Sequence, residues 1–140
     1  MGQIIVKAEA KVNPTEDEEK VKKAIQNIIL NPSFEIVQMN YEKLVVATSH
    51  EKDCLAKLYN LFRQERILDA ARRALFEGMS GNTITFYLNK QVAYVGHVSF
   101  CEPSAESPLG PIRVEIVCED PRELINWIAP KTVEGRLVSK

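Results

Sequence analysis

Apolar residues recur at every second position at the start of the chain. Ile4, Val6, Ala8, Ala10 and Val12 fall on one side of Ile4–Val12, and Lys7, Glu9 and Lys11 on the other, which predicts a strand with one wet face. Asn13-Pro14-Thr15-Glu16 then reads as an N-cap, a proline at the first helical position and a glutamate at the third. The helix it predicts carries Val21, Ala24, Ile25 and Ile28 as its core stripe and ends at Asn31-Pro32. Residues 34–39 and 43–48 predict a hairpin turning at Asn40-Tyr41-Glu42. Ser49 is placed to cap the helical stretch that follows, where Leu55, Leu58, Tyr59 and Phe62 make one stripe and Ile67, Leu68, Ala71 and Leu75 another. This is one bent helix or two short ones, closed by Gly78 in the left-handed conformation.

Three further strands are predicted at 83–88, 92–100 and 112–118, with Lys90 at the tip of the turn between the first two. Asp120-Pro121-Arg122-Glu123 repeats the cap-and-proline device and starts a last helix carrying Leu124, Ile125, Trp127 and Ile128 as far as Pro130. Residues 131–140 read as a loosely held tail. The fold class that follows is α+β, a largely antiparallel sheet with helices on one face, in a single domain spanning 1–140. The first six elements follow the split β-α-β order of ferredoxin-like domains, which RNA-recognition domains share. Residues 43–48, however, offer none of the aromatic side chains on which those domains stack bases.

Composition narrows the function classes. With 140 residues, 45% hydrophobic and 26% charged, the chain can bury a real core. Its net charge of -1 gives no global field that would recruit nucleic acid or an anionic membrane, so any anion binding is local. No apolar run approaches the roughly 20 residues that span a bilayer. The opening residues place charge after the apolar stretch, the wrong order for a signal peptide. Three cysteines, Cys54, Cys101 and Cys118, are odd in number and widely separated, which predicts a reduced, cytoplasmic setting.

No nucleophile with its base, no complete metal cluster and no glycine-rich phosphate loop is visible, so the chain is expected to be non-catalytic and to need no cofactor. Two His-x-x-x-Cys spacings occur, His50 to Cys54 and His97 to Cys101. The first would be half a zinc site on a helix; the second, on a strand, would hold its ligands roughly 13 Å apart. Alternation in the predicted strand 92–100 turns Val92, Tyr94, Gly96, Val98 and Phe100 inward. Gln91, Ala93, Val95, His97 and Ser99 then share the second sheet face with Thr83, Thr85, Tyr87, Arg113, Glu115 and Val117. Such a mixed face predicts cover by a second copy of the chain, with ordinary solvation, or a ligand or RNA platform around Tyr87, His97 and Arg113, as the alternatives. Basic residues gather at Lys57, Arg63, Arg66, Arg72 and Arg73, where Arg66 and Arg73 lie two turns apart opposite Leu68 and Leu75.

Phe86-Tyr87-Leu88-Asn89-Lys90-Gln91-Val92-Ala93, Ser107-Pro108-Leu109-Gly110-Pro111-Ile112 and Trp127-Ile128-Ala129-Pro130-Lys131-Thr132-Val133-Glu134-Gly135 resemble an archaeal protein family described as RNA-binding. The resemblance spans nearly the whole chain, including Val12-Asn13-Pro14-Thr15-Glu16. It implies a fold similar to the ribosomal protein that binds five-S ribosomal RNA, a homodimer and nucleic-acid binding, and it brings no site residues with it. The expectation is a non-catalytic protein that binds structured RNA through phosphate contacts at Arg63, Arg66, Arg73, Lys90 and Arg113. The alternative is a homodimeric interaction module without RNA binding.

Overall fold

The computed structural model describes residues 3–40, 42–102, 110–133 and 136–137. Six strands form one sheet in the order β2 (Ser33–Met39), β3 (Glu42–Ser49), β1 (Ile4–Val12), β6 (Pro111–Cys118), β5 (Thr83–Asn89) and β4 (Met79–Ser80). Every neighbouring pair is antiparallel. The alternation in β1 is used as its pattern requires. Val6, Ala8 and Ala10 are buried on the same side as Val45 and Ala47 of β3, Ile84, Phe86 and Leu88 of β5, and Ile112, Val114 and Ile116 of β6. Five helices cover that face: α1 (Glu18–Gln26), α2 (Ala56–Gln64), α3 (Leu68–Glu77), α4 (Lys90–Tyr94) and α5 (Pro121–Ile128). Their buried residues, among them Ile25, Phe62, Leu75, Ala93 and Ile125, join the strand residues in one hydrophobic cluster. All buried strand side chains among the described residues lie on this side, which leaves the other face of the sheet without helices.

The architecture is the expected α+β sheet with helices on one face, but its connectivity departs from the ferredoxin order. That order would set β5 beside β1. Here β6 is inserted between them, so the likeness is confined to β2, β3, β1 and the helix α1 that links them.

The predicted strand 92–100 is absent. Asn89 turns its side-chain oxygen onto the Val92 N–H at 2.9 Å and caps α4. The helix buries Ala93 completely, and its last carbonyls, Ala93 and Tyr94, accept from the Asn27 amide at 2.8 and 3.0 Å. Gly96 turns the chain at φ 89°, and Phe100 returns only as a single bridge to Leu88. Period-two spacing misled here because one cap and one turn suffice to make five residues helical, too few for a 3.6-residue period to show. The sixth strand is instead β4, two residues paired with Thr83 and Ile84.

Other boundaries shift for local reasons. Only half of the predicted capping box forms: the Asn13 N–H and side-chain amide both donate to the Glu16 carboxylate at 3.0 and 2.8 Å, while the Glu16 N–H bonds the Asn13 backbone carbonyl and closes a turn. Asp17 is the cap of α1 and accepts from the Glu19 N–H. The middle helical stretch is two helices, broken at Arg66. Gly78 ends α3 at φ -90°, not in the left-handed region. A Cβ there would lie 1.8 Å from the Thr85 carbonyl oxygen, so the missing side chain serves a close strand approach. Asp120 caps α5 as predicted, accepting from the Glu123 N–H at 3.1 Å with Pro121 in the first turn. In the predicted tail, Thr132–Val133 and Arg136–Leu137 pair as a two-stranded ribbon, and the Thr132 hydroxyl donates to the Asp69 carboxylate; residues 134–135 and 138–140 lie outside the described residues. Among the described residues no helix is long and apolar enough to cross a membrane.

Candidate nucleic-acid interface

The five cations singled out above do not form one patch. Arg63, Arg66 and Arg73 belong to the helical layer, Lys90 is inside the molecule, and Arg113 stands on the helix-free face of the sheet.

Arg63 is committed to structure. Its guanidinium lies 3.5 Å from the centre of the Tyr59 ring and donates to the carbonyls of Tyr59, Ile128 and Trp127 at 2.9, 3.1 and 3.3 Å. The last two acceptors are at the C-terminus of α5, where carbonyls lack helical partners and the macrodipole favours a cation. Arg63 thereby ties α2 to α5. Arg72 does the same from α3, donating to Asn126 and to the Ala129 carbonyl at 2.9 and 3.1 Å.

Arg66 is different. The N–H of Arg66 bonds the Arg63 carbonyl at 3.2 Å and the N–H of Ile67 bonds the Phe62 carbonyl at 3.0 Å, the pair of bonds that defines a Schellman ending. Arg66 occupies the left-handed position of that motif at φ 56°, where glycine is favoured and an L side chain costs about 1–2 kcal/mol. The other non-glycine residues at positive φ among those described are asparagines, Asn31 and Asn40, which tolerate it. The Arg66 and Arg73 side chains are exposed, and among the described residues neither is held by an ion pair or hydrogen bond.

Lys90 corrects the expectation of a hairpin-tip cation. It is only 4% exposed, and its ammonium lies 3.0 Å from the Glu16 carboxylate and 2.8 Å from the Lys11 carbonyl oxygen. Burial pushes its pKa down, opposed by Glu16. Burial pushes Glu16 up, but the Asn13 N–H and the Lys90 ammonium outweigh it and hold the carboxyl below its ordinary value. Arg113 meets Glu115 at 3.0 Å and Glu9 at 3.7 Å, so two carboxylates answer its charge. His97 is a second correction. It sits in the loop after α4, 3.1 Å from Glu65, and shares no surface with Tyr87 or Arg113. Cys54 is buried with its thiol pushed up by desolvation.

The arrangement that sequence spacing did not reveal is aromatic. Tyr59 and Trp127 lie 5.0 Å apart between ring centres. The Lys52 ammonium is 4.1 Å above the Trp127 ring, and Arg72 and Arg122 flank Phe76 at 4.9 and 5.8 Å. Cations and rings thus alternate across α2, α3, α5 and the turn Lys52–Leu55. These residues come from segments up to 75 positions apart, so only the packing of α5 against α2 and α3 assembles them.

A family model described as RNA binding matches residues 5–118. A UPF0201 protein of Sulfurisphaera tokodaii is 47% identical over 135 residues, covering 96% of this chain and 92% of that protein. A UPF0201 protein of Pyrococcus horikoshii is 45% identical over 130 residues, covering 93% and 92%. The crystal structure of a UPF0201 protein from Methanococcus jannaschii matches with a TM-score of 0.85 at 37% identity, over 96% of this chain and 99% of that one.

Proposed function

Since the chain belongs to the family whose model is described as RNA binding, we propose that it is a non-catalytic RNA-binding protein that grips structured RNA by its phosphates through Arg66 and Arg73. The observation that carries this reading is Arg66, an exposed guanidinium kept in a backbone conformation that glycine would adopt at lower cost. A side chain retained against its conformational preference is explained by what it reaches. Arg73, exposed on the next helix, supplies a second cation. Lys90 and Arg113 drop out of the contact set because carboxylates already answer their charges, Lys90 in the interior and Arg113 on the sheet surface. The expected likeness to the five-S-RNA-binding ribosomal protein and the cytoplasmic setting belong to this reading as well.

Retention of a structured RNA across a salt series tests it. Affinity should fall with salt by a logarithmic slope of about -0.7 to -0.9 per phosphate neutralised, and Arg66→Glu with Arg73→Glu should abolish retention at physiological salt. Equal binding by this variant would remove the site assignment. If neither protein binds RNA, the RNA reading itself fails.

A second reading rests on the helix-free sheet face. Ile5 is 39% exposed there opposite Val117, and the same face carries Leu44, Val46, Val37 and Tyr87 among the charged Lys7, Glu9, Lys11, Glu35, Arg113 and Glu115. A face on which apolar patches and opposite charges are mixed fits a second copy of the chain, and it supports the homodimeric module whether or not RNA binds.

A further inference from the structure

We propose that the ring face of Trp127 is a stacking platform for an unpaired base of the bound RNA, so that the protein's target is RNA with a single-stranded segment beside its phosphate contacts. This rests on the RNA-binding reading above and names the form of RNA that the helical layer takes. Four of the five cation-on-ring contacts among the described residues fall on the part of this layer made by α2, α3, α5 and the turn Lys52–Leu55. That is the composition of surfaces that bind unpaired nucleic acid, where bases stack on rings and cations follow the backbone.

Trp127 is suited to this in three ways. Its neighbours on α5, Leu124, Ile125 and Ile128, are buried in the core, whereas Trp127 itself is half-buried at the flank of the helix. Its indole N–H has no hydrogen bond among the described residues, and no buried side-chain nitrogen or oxygen there lacks a partner; the N–H therefore reaches the surface and can donate to a ligand. The ring is covered by the ammonium of Lys52, an exposed residue, which can swing from the ring to a phosphate as a base takes its place. Tyr59 supports the ring from α2 and is itself fixed beneath Arg63, one turn before Arg66. On its other side Lys52 lines a hollow with Glu119, Asp120 and Glu123, whose excess of negative charge disfavours a phosphate backbone. The strand is thus directed from Trp127 toward Arg66.

Trp127 is the only tryptophan in the chain, so intrinsic fluorescence reports on this ring alone. The experiment titrates the full chain with a short oligoadenylate and with a duplex RNA of the same length, reading both tryptophan emission and affinity. The expected result is quenching by the oligoadenylate, with weakening of its binding by about 10- to 100-fold in Trp127→Leu and a smaller loss in Trp127→Phe. Should Trp127→Leu fail to fold, the emission of the unmodified protein decides. Binding of both RNAs without quenching, or unchanged affinity in Trp127→Leu, would overturn the stacking proposal while leaving phosphate-mediated binding in place. Absence of binding to either RNA, in a protein that also retains no structured RNA, removes both.

Discussion

The ammonium of Lys90 and the carboxylate of Glu16 meet at 3.0 Å with the lysine almost wholly out of solvent. The pair clamps the start of α4 to the turn between β1 and α1, and the same glutamate holds the Asn13 N–H. Removing one member of a buried pair leaves the other charge uncompensated, at a cost of about 3–5 kcal/mol. Lys90→Met is therefore expected to lower the urea midpoint of unfolding sharply. RNA affinity of the folded fraction should be unchanged, because the lysine contacts nothing outside the protein. Weakened RNA binding at full stability would return Lys90 to the interface.

The same pair sets an acid limit. The carboxyl of Glu16 is held below its ordinary value of 4.5 in the fold, so between the folded and unfolded values the unfolded chain binds more protons and stability falls as the pH drops. The contribution is complete above 4.5 and is lost as the pH falls through the lower folded value. Stability curves of the parent and Glu16→Gln should converge over that window. Parallel curves down to pH 3 would show that Glu16 does not titrate as argued.

The sequence made the sheet legible where one face is buried and the other wet, as in β1, and the cap before a proline marked a helix start at Asp120 but only a turn at Asn13, four residues ahead of the true cap. It misread 92–100 because Val92, Tyr94, Val98 and Phe100 alternate by coincidence while Asn89 caps a single turn. It also misread Lys90, since a cation between two apolar segments looks like a turn residue until Glu16, 74 positions away, is packed against it. The site followed the same division. Arg66 and Arg73 were visible as charges on one helical side, but the left-handed backbone at Arg66 belongs to the ending of α2, which no glycine marks, and the ring cluster around Trp127 exists only after α5 docks.

Gly78 tests the tightest backbone approach. A methyl group there would meet the Thr85 carbonyl oxygen at 1.8 Å, and the atom that must yield is backbone in a paired strand. Gly78→Ala should cost about 3 kcal/mol, the upper end of overpacking effects, seen as a lower melting temperature. A change under about 0.5 kcal/mol would mean that α3 and β5 separate freely at this point.

Val46 lies between Glu9 and Glu35 on the helix-free sheet face. In a monomer, Val46→Lys would gain two cross-strand carboxylates, worth about 0.2–1 kcal/mol each. In a dimer using this face, the longer side chain would hold the two subunits apart. Sedimentation should show the parent as a dimer and the variant as a folded monomer. A parent that is monomeric at high micromolar concentration would end the sheet-face reading.

Arg66 allows stability and binding to be separated at one position. Glycine at the left-handed site relieves about 1–2 kcal/mol of strain but loses more backbone entropy on folding, by roughly 0.5–1 kcal/mol. Arg66→Gly should therefore be neutral or more stable by up to about 1.5 kcal/mol, each kcal/mol raising the melting temperature by about 2–4 °C. It also deletes one phosphate contact, so the salt slope of RNA binding should become shallower by about 0.7–0.9. A variant that is more stable and binds less is what a strained functional residue produces. If Arg66→Gly is more stable and binds RNA with an unchanged salt slope, the strain has nothing to do with RNA, and Arg73 with the Trp127 surface must carry the binding instead.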